Sequence, residues 1–302
     1  MPDLNTIQIA NSTLNLMLKA SKEHLGDIEF SSLFKKFLNT KLKNSSSFIK
    51  INLNFSSANK LSKSFLKTLP LLETSSWNIY ETRSCLYFVL FRNSRKQKIN
   101  QILELKKKKF TATLYFDENK EKIKHVFYPL DQFLFQWSFI KSNAFMMHGC
   151  AFMIANKGFI ALGESETGKT TLLKTLKKNS SELTVLNDER NVIWKNQNNK
   201  YFISPTPWHG ELTEVNNLST SLDYIFFIEK NKETFIKPVT LFDAYVKSIK
   251  TCFMPFWDKA QMTSYTVELE KMLLENKNKL FSISYDKESN LCSTIKDFTT
   301  NA

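Results

Sequence analysis

Apolar and polar positions alternate most cleanly at residues 49–55, where Ile49, Ile51, Leu53 and Phe55 are separated by Lys50, Asn52 and Asn54. A period of two with polar partners predicts a strand with one buried face. Residues 77–82, 85–91 and 110–116 read as further strands joined by short polar turns. Residues 48–117 therefore predict a mostly antiparallel sheet. Within it, residues 99–105 suit a strand or a helix equally. Upstream, Leu14, Leu16, Met17, Leu18 and then Leu33, Phe34, Phe37, Leu38 recur at spacings near three and four, which predicts helical structure over residues 1–43. Residues 61–72 predict a short helix ending near Pro70.

The pattern changes after residue 127. Tyr128-Pro129-Leu130-Asp131 opens a helix, with proline near its first position and an apolar stripe of Leu130, Phe133, Leu134, Trp137 and Ile140. Residues 150–154 are an apolar strand, 155–158 a tight polar turn and 159–162 a second strand. Strands joined so closely must be antiparallel, because a parallel pair needs a crossover of a dozen or more residues. Further strands are expected at 183–186, 193–194, 201–203, 224–229 and 279–285, and helices at 248–254 and 267–276. The chain thus predicts two domains: a smaller α+β domain over 1–127, then a domain over 128–302 with a mixed sheet. The whole is α/β in class and α+β in overall character.

Between the second hairpin strand and the next helical pattern lies Gly163-Glu164-Ser165-Glu166-Thr167-Gly168-Lys169-Thr170-Thr171. This fits the phosphate-binding pattern G-x-x-x-x-G-K-[ST]. Its context is the required one, since Leu172, Leu173 and Leu176 continue it as one helical face. Glycines at both ends let several backbone N–H groups turn toward one anion, and the helix adds the positive end of its dipole. Lys169 is expected to reach the β- and γ-phosphates, and the Thr170 hydroxyl to ligate Mg²⁺. Asp188 and Glu189 end the strand that follows, nineteen positions after Lys169. Phosphoryl transfer needs charge neutralisation and a group that takes the nucleophile's proton. Two adjacent acids can divide these tasks, with Asp188 as base and Glu189 on the metal. Solvent-facing acids in a turn are the plain alternative. If the hairpin is paired as expected, His148 lies at the Gly163 end, where it could orient Asp188 or a substrate, or serve only the fold. His209 and Glu211 follow Pro205 and Pro207 around Gly210, a loop suited to substrate contact or to an ordinary rigid turn. Arg190 is a further substrate-contact candidate beside the acids.

The chain has 302 residues and a net charge of +13. Such charge can attract phosphate, nucleic acid or an anionic membrane. The densest run, Lys106-Lys107-Lys108-Lys109, sits between apolar segments and reads more simply as a solvated turn. No motif of a nucleic-acid-binding module is present, and no apolar run approaches the 18 residues of a membrane span. Cys85, Cys150, Cys252 and Cys292 are too widely spaced for a C-x-x-C zinc site. Buried reduced thiols, and with them a cytoplasmic location, are expected.

Met147-His148-Gly149, the hairpin, the 163–170 loop and Leu186-Asn187-Asp188-Glu189 together resemble the HPr kinase/phosphorylase family, of the phosphoenolpyruvate carboxykinase-like group of P-loop proteins. Tyr-Pro-Leu-Asp-Gln at 128–132 and Pro-Trp-His-Gly-Glu at 207–211 resemble the HPr-kinase-like proteins found beside bacterial peptide-modification genes. The resemblance implies an ATP- and Mg²⁺-dependent kinase acting on a serine hydroxyl of a protein or peptide, with oligomeric assembly. It implies Asp188 as general base and His148 as the family histidine. Glu189 stands where the family normally has aspartate, and the signature that follows the acidic pair in the family is not evident. A kinase of a small alcohol or free amino acid, and a nucleotide-binding regulatory module without transfer, are the other readings.

Overall fold

A two-residue turn, Ala155-Asn156, sets the geometry of the second half of the chain. Both residues have positive φ, 49° and 61°. Such a turn matches the right-handed twist of its flanking strands, here β12 (Phe145–Ile154) and β13 (Lys157–Leu162). They pair antiparallel, as expected, with Ile154 opposite Lys157 and Gly149 opposite Leu162.

In the computed structural model, the described residues from 129 onward are all but 179, 181, 232 and 302. Earlier they are 5–8, 14–19, 28–29, 36–39, 49–57, 61, 63–92, 95, 98–109, 111–116 and 123–124. The chain forms two compact units that divide between Ser138 and Phe139, inside helix α1 (Leu130–Lys141).

The first unit is built on a nine-stranded sheet. Its strands in chain order are β1 (Asn5–Gln8), β2 (Leu14–Lys19), β4 (Leu38–Asn39), β5 (Ile49–Ser57), β6 (Leu72–Glu73), β7 (Trp77–Glu81), β8 (Cys85–Phe91), β9 (Ile99–Lys106) and β10 (Thr111–Phe116). In space they run β4-β1-β2-β5-β10-β9-β8-β7-β6. Two short strands, β3 (Ile28–Glu29) and β11 (Ile123–Lys124), pair separately. The expected antiparallel arrangement holds from β10 to β6, whereas β5 pairs parallel with both β2 and β10. Residues 99–106 resolve as a strand. The helical expectation for residues 1–43 is corrected: its described parts include strands β1 to β4. Leu14, Leu16 and Leu18 also satisfy a period of two, and pairing with β5 decides between periods that a short apolar run leaves open. Leu33 and Phe34 lie outside the described residues. The helix expected at 61–72 is a single 3₁₀ turn, Lys63–Lys67, whose Phe65 stacks on Tyr87 at 4.0 Å. Phe133 of α1 stacks on Phe88 at 4.5 Å and meets Trp77 edge-on.

The second unit has a mixed sheet. Besides β12 and β13 it contains β14 (Thr184–Asn187), β15 (Arg190–Lys195), β16 (Tyr201–Pro205), β17 (Thr220–Ser221), β18 (Tyr224–Ile228), β19 (Phe235–Pro238) and β20 (Leu280–Ser284). β13 is antiparallel to β12 but parallel to β18, and β18 is parallel to β20. Helices α2 (Lys169–Lys178) and α5 (Leu291–Asn301) pack on one face, and α3 (Leu241–Thr251) and α4 (Lys259–Glu275) on the other. Alternate residues of β13 serve the two cores: Phe159 and Ala161 meet Leu172, Leu173 and Leu176, while Ile160 and Leu162 join Leu269 and Met272. Burial on both faces is why the strand reads as an unbroken apolar run. Each fully buried leucine of α2 contributes roughly 1.5–3 kcal/mol.

The helix expected at 248–254 begins earlier and ends at Thr251, because Thr240 caps it through the Asp243 N–H. Asp258 caps α4 in the same way, which starts that helix at 259 rather than 267. Helix α5 was not anticipated. All four cysteines are buried free thiols. No helix among the described residues is long and apolar enough to cross a membrane.

Candidate functional site

Strand β12 has a neighbour on each side, and this brings distant residues into one row. On one side, Gly149 faces Leu162, so His148 lies beside the start of the phosphate-pattern loop; the Gly163 N–H donates to the His148 carbonyl at 3.4 Å. On the other side, β15 pairs with residues 145–148 and β14 with residues 151–153. The step between β14 and β15 is Asp188-Glu189, and the Gly149 N–H donates to the Glu189 carbonyl at 3.0 Å. The placement expected for His148 at the Gly163 end is therefore met.

The loop runs from β13 into α2 in the expected order. Gly168 has φ +107°, a region that side chains rarely adopt, and an added Cβ would lie 2.8 Å from the Tyr285 oxygen. That tyrosine donates to the Gly168 carbonyl at 2.6 Å, bracing the loop. Thr167 Oγ1 donates to the Glu164 carbonyl at 2.8 Å. Lys169, 7% exposed, folds back over the loop and donates to the carbonyls of Gly163 and Glu164 at 3.0 and 2.7 Å. Burial holds its ammonium below the usual lysine range, opposed by Cys150, Glu189 and Asp188 nearby.

The acidic step is fixed by residues the sequence reading missed. Asn187 is fully buried; its Oδ1 accepts the Glu189 N–H at 2.8 Å and its Nδ2 donates to the carbonyls of Thr206 and Trp208. Asn191 Nδ2 donates to the Gly149 carbonyl at 2.7 Å. The only signal for these two was an asparagine at each end of the acidic step, within apolar strands.

The two acids then part. Asp188 is 1% exposed, and its oxygens accept the backbone N–H groups of Gly210 at 2.7 Å and Leu212 at 2.8 Å. It is a clamp on the 205–212 loop rather than a solvent-facing acid. Glu189 turns outward. Its Oε2 lies 3.5 Å from His148 Nε2, and its Oε1 lies 3.8 Å from the Arg190 guanidinium. The His148 ring holds the Glu189 carboxyl below the usual glutamate range; burial opposes this, and Arg190 and Lys169 add to it. His148 thus partners Glu189 rather than Asp188. Arg190 also stacks over the Phe253 ring at 5.0 Å.

A cavity of about 380 Å³ is lined by His148 and Glu189, by Ser165, Glu166, Gly168, Lys169, Thr170 and Thr171, and by Gly210 and Glu211. Gly163, Glu164 and Thr167 line a neighbouring cavity of about 210 Å³. Asp188, Arg190 and His209 line neither. The His209 ring is engaged locally, its Nδ1 at 2.9 Å from the Gly210 carbonyl oxygen, and Glu211 pairs with Lys174 at 3.0 Å. Gly210 passes so close that an added Cβ would stand 2.9 Å from Asp188 Oδ2 and 3.3 Å from Glu189 Oε2.

No group of three or more His, Cys, Asp or Glu residues suited to a metal occurs among the described residues. The Thr170 hydroxyl and the Glu189 carboxylate do share one cavity wall. Mg²⁺ takes one or two protein oxygens together with phosphate oxygens and several waters, so this donor set fits it. In comparison with known proteins, the chain matches no family model and no curated protein.

Proposed function

We propose that this chain is a Mg²⁺- and ATP-dependent kinase of the phosphoenolpyruvate carboxykinase-like P-loop type that phosphorylates a serine hydroxyl of a protein or peptide. The observation that carries the reading is the row across β12. Its register sets His148 beside the start of the 163–170 loop and Glu189 beside His148, and these two side chains line one cavity with Lys169 and Thr170. A phosphate loop alone serves many activities; a loop faced by a carboxylate–histidine pair has both the anion site and the proton acceptor that transfer requires. The resemblance to the HPr kinase/phosphorylase family supports the same reading.

In this mechanism the loop amides and the α2 N-terminus bind the phosphates, and Lys169 leaves its loop carbonyls for the β- and γ-phosphate oxygens. Thr170 would hold the Mg²⁺, which would neutralise phosphate charge, and Glu189 would reach it only through water, leaving its carboxylate able to take a proton. The serine oxygen attacks the γ-phosphorus, the bond to the β-phosphate's bridging oxygen breaks, and ADP leaves. The serine proton passes to a carboxylate. The geometry favours Glu189 for that role over Asp188, because Glu189 lines the cavity and stays ionised beside His148, while both Asp188 oxygens are occupied. Asp188 then holds Gly210 and Glu211 against the site.

The test is mass spectrometry of serine-bearing peptides, HPr and free serine after incubation with the protein, Mg²⁺ and ATP. One added phosphate on a peptide or protein, lost in Lys169→Ala, is expected. Phosphate on free serine alone moves the substrate to a small alcohol. No transfer despite measured ATP binding overturns the kinase in favour of a nucleotide-binding module. Glu189→Gln keeps ATP binding and loses transfer if the assignment holds. Loss only in Asp188→Asn, with Glu189→Gln active, returns the base to Asp188.

A further inference from the structure

The Lys106-Lys107-Lys108-Lys109 turn borders a second site, in the first unit. Strands β8, β9 and β10 are adjacent, with Cys85 opposite Lys106, Tyr87 opposite Glu104, and Glu104 opposite Thr113. Glu104 is 8% exposed in the middle of this sheet. Three side chains converge on it. Cys85 Sγ and the Tyr87 hydroxyl donate to its Oε1 at 3.2 and 3.3 Å, and the Tyr115 hydroxyl donates to its Oε2 at 2.9 Å. Burial raises the pKa of all three donors, Tyr115 to about 12, so each keeps its proton at neutral pH.

A carboxylate buried against neutral donors is a costly choice for a sheet core, where an apolar residue of the same size would pack without loss. Glu104 and two of its donors, Cys85 and Tyr87, form part of the wall of a cavity of about 730 Å³, within the size range of small-molecule sites. The rest of the wall includes Arg83, Lys106, Lys108 and Lys109. Among the described residues none of these four cations has an ion-pair partner, whereas Lys107 of the same turn is paired with Glu81. The site therefore has one negative group at its base and four uncommitted positive groups at its rim. Ionised carboxylates offer about four lone-pair directions, and the three donors leave Glu104 room for one more.

We propose that this cavity binds an anionic amino compound, its ammonium on Glu104 and its acidic group on the lysine and arginine rim. The acidic group can be a carboxylate, as in an acidic amino acid, or a phosphate, as in a phosphoamino acid. Both accept charge-assisted bonds from the rim. A polyanion reading only the basic turn would have no use for the buried carboxylate, which repels it. This inference does not depend on the kinase reading, because the cavity lies in the first unit and the phosphate loop in the second.

Calorimetric titration of the full chain with L-glutamate, O-phospho-L-serine and glutarate tests it. Glutarate has the carboxylates without the ammonium. At least one amino compound is expected to bind at one site per chain, with glutarate about tenfold weaker or more, the size of one charged hydrogen bond. The tighter of the two amino compounds identifies the acidic group. Glu104→Gln should remove the preference over glutarate. Lys106→Ser/Lys108→Ser changes two exposed side chains, so the fold is kept, and it should weaken the amino compound by about tenfold or more. Failure of both amino compounds to bind overturns the proposal. So does equal binding of glutarate, or binding that the double variant leaves unchanged. Binding of a single-stranded oligonucleotide that the double variant abolishes, without amino-compound binding, assigns the turn to nucleic acid instead.

Discussion

Two buried carboxylates, Glu104 in the first unit and Asp188 in the second, are satisfied by different means. Asp188 in the second unit accepts two backbone N–H groups from a loop 22 and 24 residues further along the chain. Glu104 in the first accepts a thiol and two phenols from neighbouring strands. Backbone donors cannot turn away without moving the chain, so Asp188 fixes a loop. Hydroxyl and thiol donors rotate, so Glu104 can exchange a partner for a ligand group without a change of fold. A buried acid therefore says little about function until its donors are known.

The largest expected effect lies at Glu189, the partly buried acid beside Asp188. Glu189→Gln should lower phosphoryl transfer by about 10²- to 10⁴-fold, the range for losing a general base, with ATP affinity retained. Single-turnover kinetics would show it; a rate within a few-fold of wild type would place the base elsewhere. Next comes Asp188→Asn, which leaves one partly buried N–H without its acceptor. A loss of about 1–3 kcal/mol in denaturant unfolding is expected. Glu104→Gln should cost less than Asp188→Asn in the same measurement, since its donors can reorient; the reverse order would break the comparison. Gly168→Ala should destabilise by about 1–3 kcal/mol through its left-handed backbone, and further through the Tyr285 contact.

The smallest effect is electrostatic and lies away from both sites. Glu275 is bound by Lys195 at 2.7 Å and by the Tyr201 hydroxyl at 2.8 Å. These partners, Lys195 first, hold its carboxyl below the ordinary value of 4.5. A depressed acid stabilises the fold above its unfolded pKa and loses that contribution as pH falls through the folded one. Glu275→Gln should thus be slightly less stable than wild type at pH 7, and the gap should close below pH ~4. A gap independent of pH would mean that packing, not charge, is responsible.

How much was legible follows from where the determinants lie. The hairpin, the loop and its helix were readable because each depends on neighbours within a few positions, and His148 followed from the register of that hairpin. The acidic pair was found, but not the opposite directions its two side chains take. Asp188 is held by Gly210 and Leu212, and nothing in Asp188-Glu189 says which acid turns inward. Glu104 was passed over because its donors lie 11 to 19 residues away on separate strands, and only pairing brings them together. The start of the chain was misread because Leu14, Leu16, Met17 and Leu18 serve either period. Thr240 and Asp258 were available as helix caps and would have moved two helix starts to their observed positions.

The bond from Tyr285 to the Gly168 carbonyl spans 117 residues of chain. The strands that flank the loop on its parallel side, at 224–228 and 280–284, also come long after it in sequence. On the ribosome, residues 163–170 therefore emerge well before the strands and the tyrosine that shape them. A nascent chain can carry the whole 163–170 pattern and still lack the contacts that shape it. Anything that truncates the product before residue 285 yields a protein with the motif but without the brace on which the loop rests.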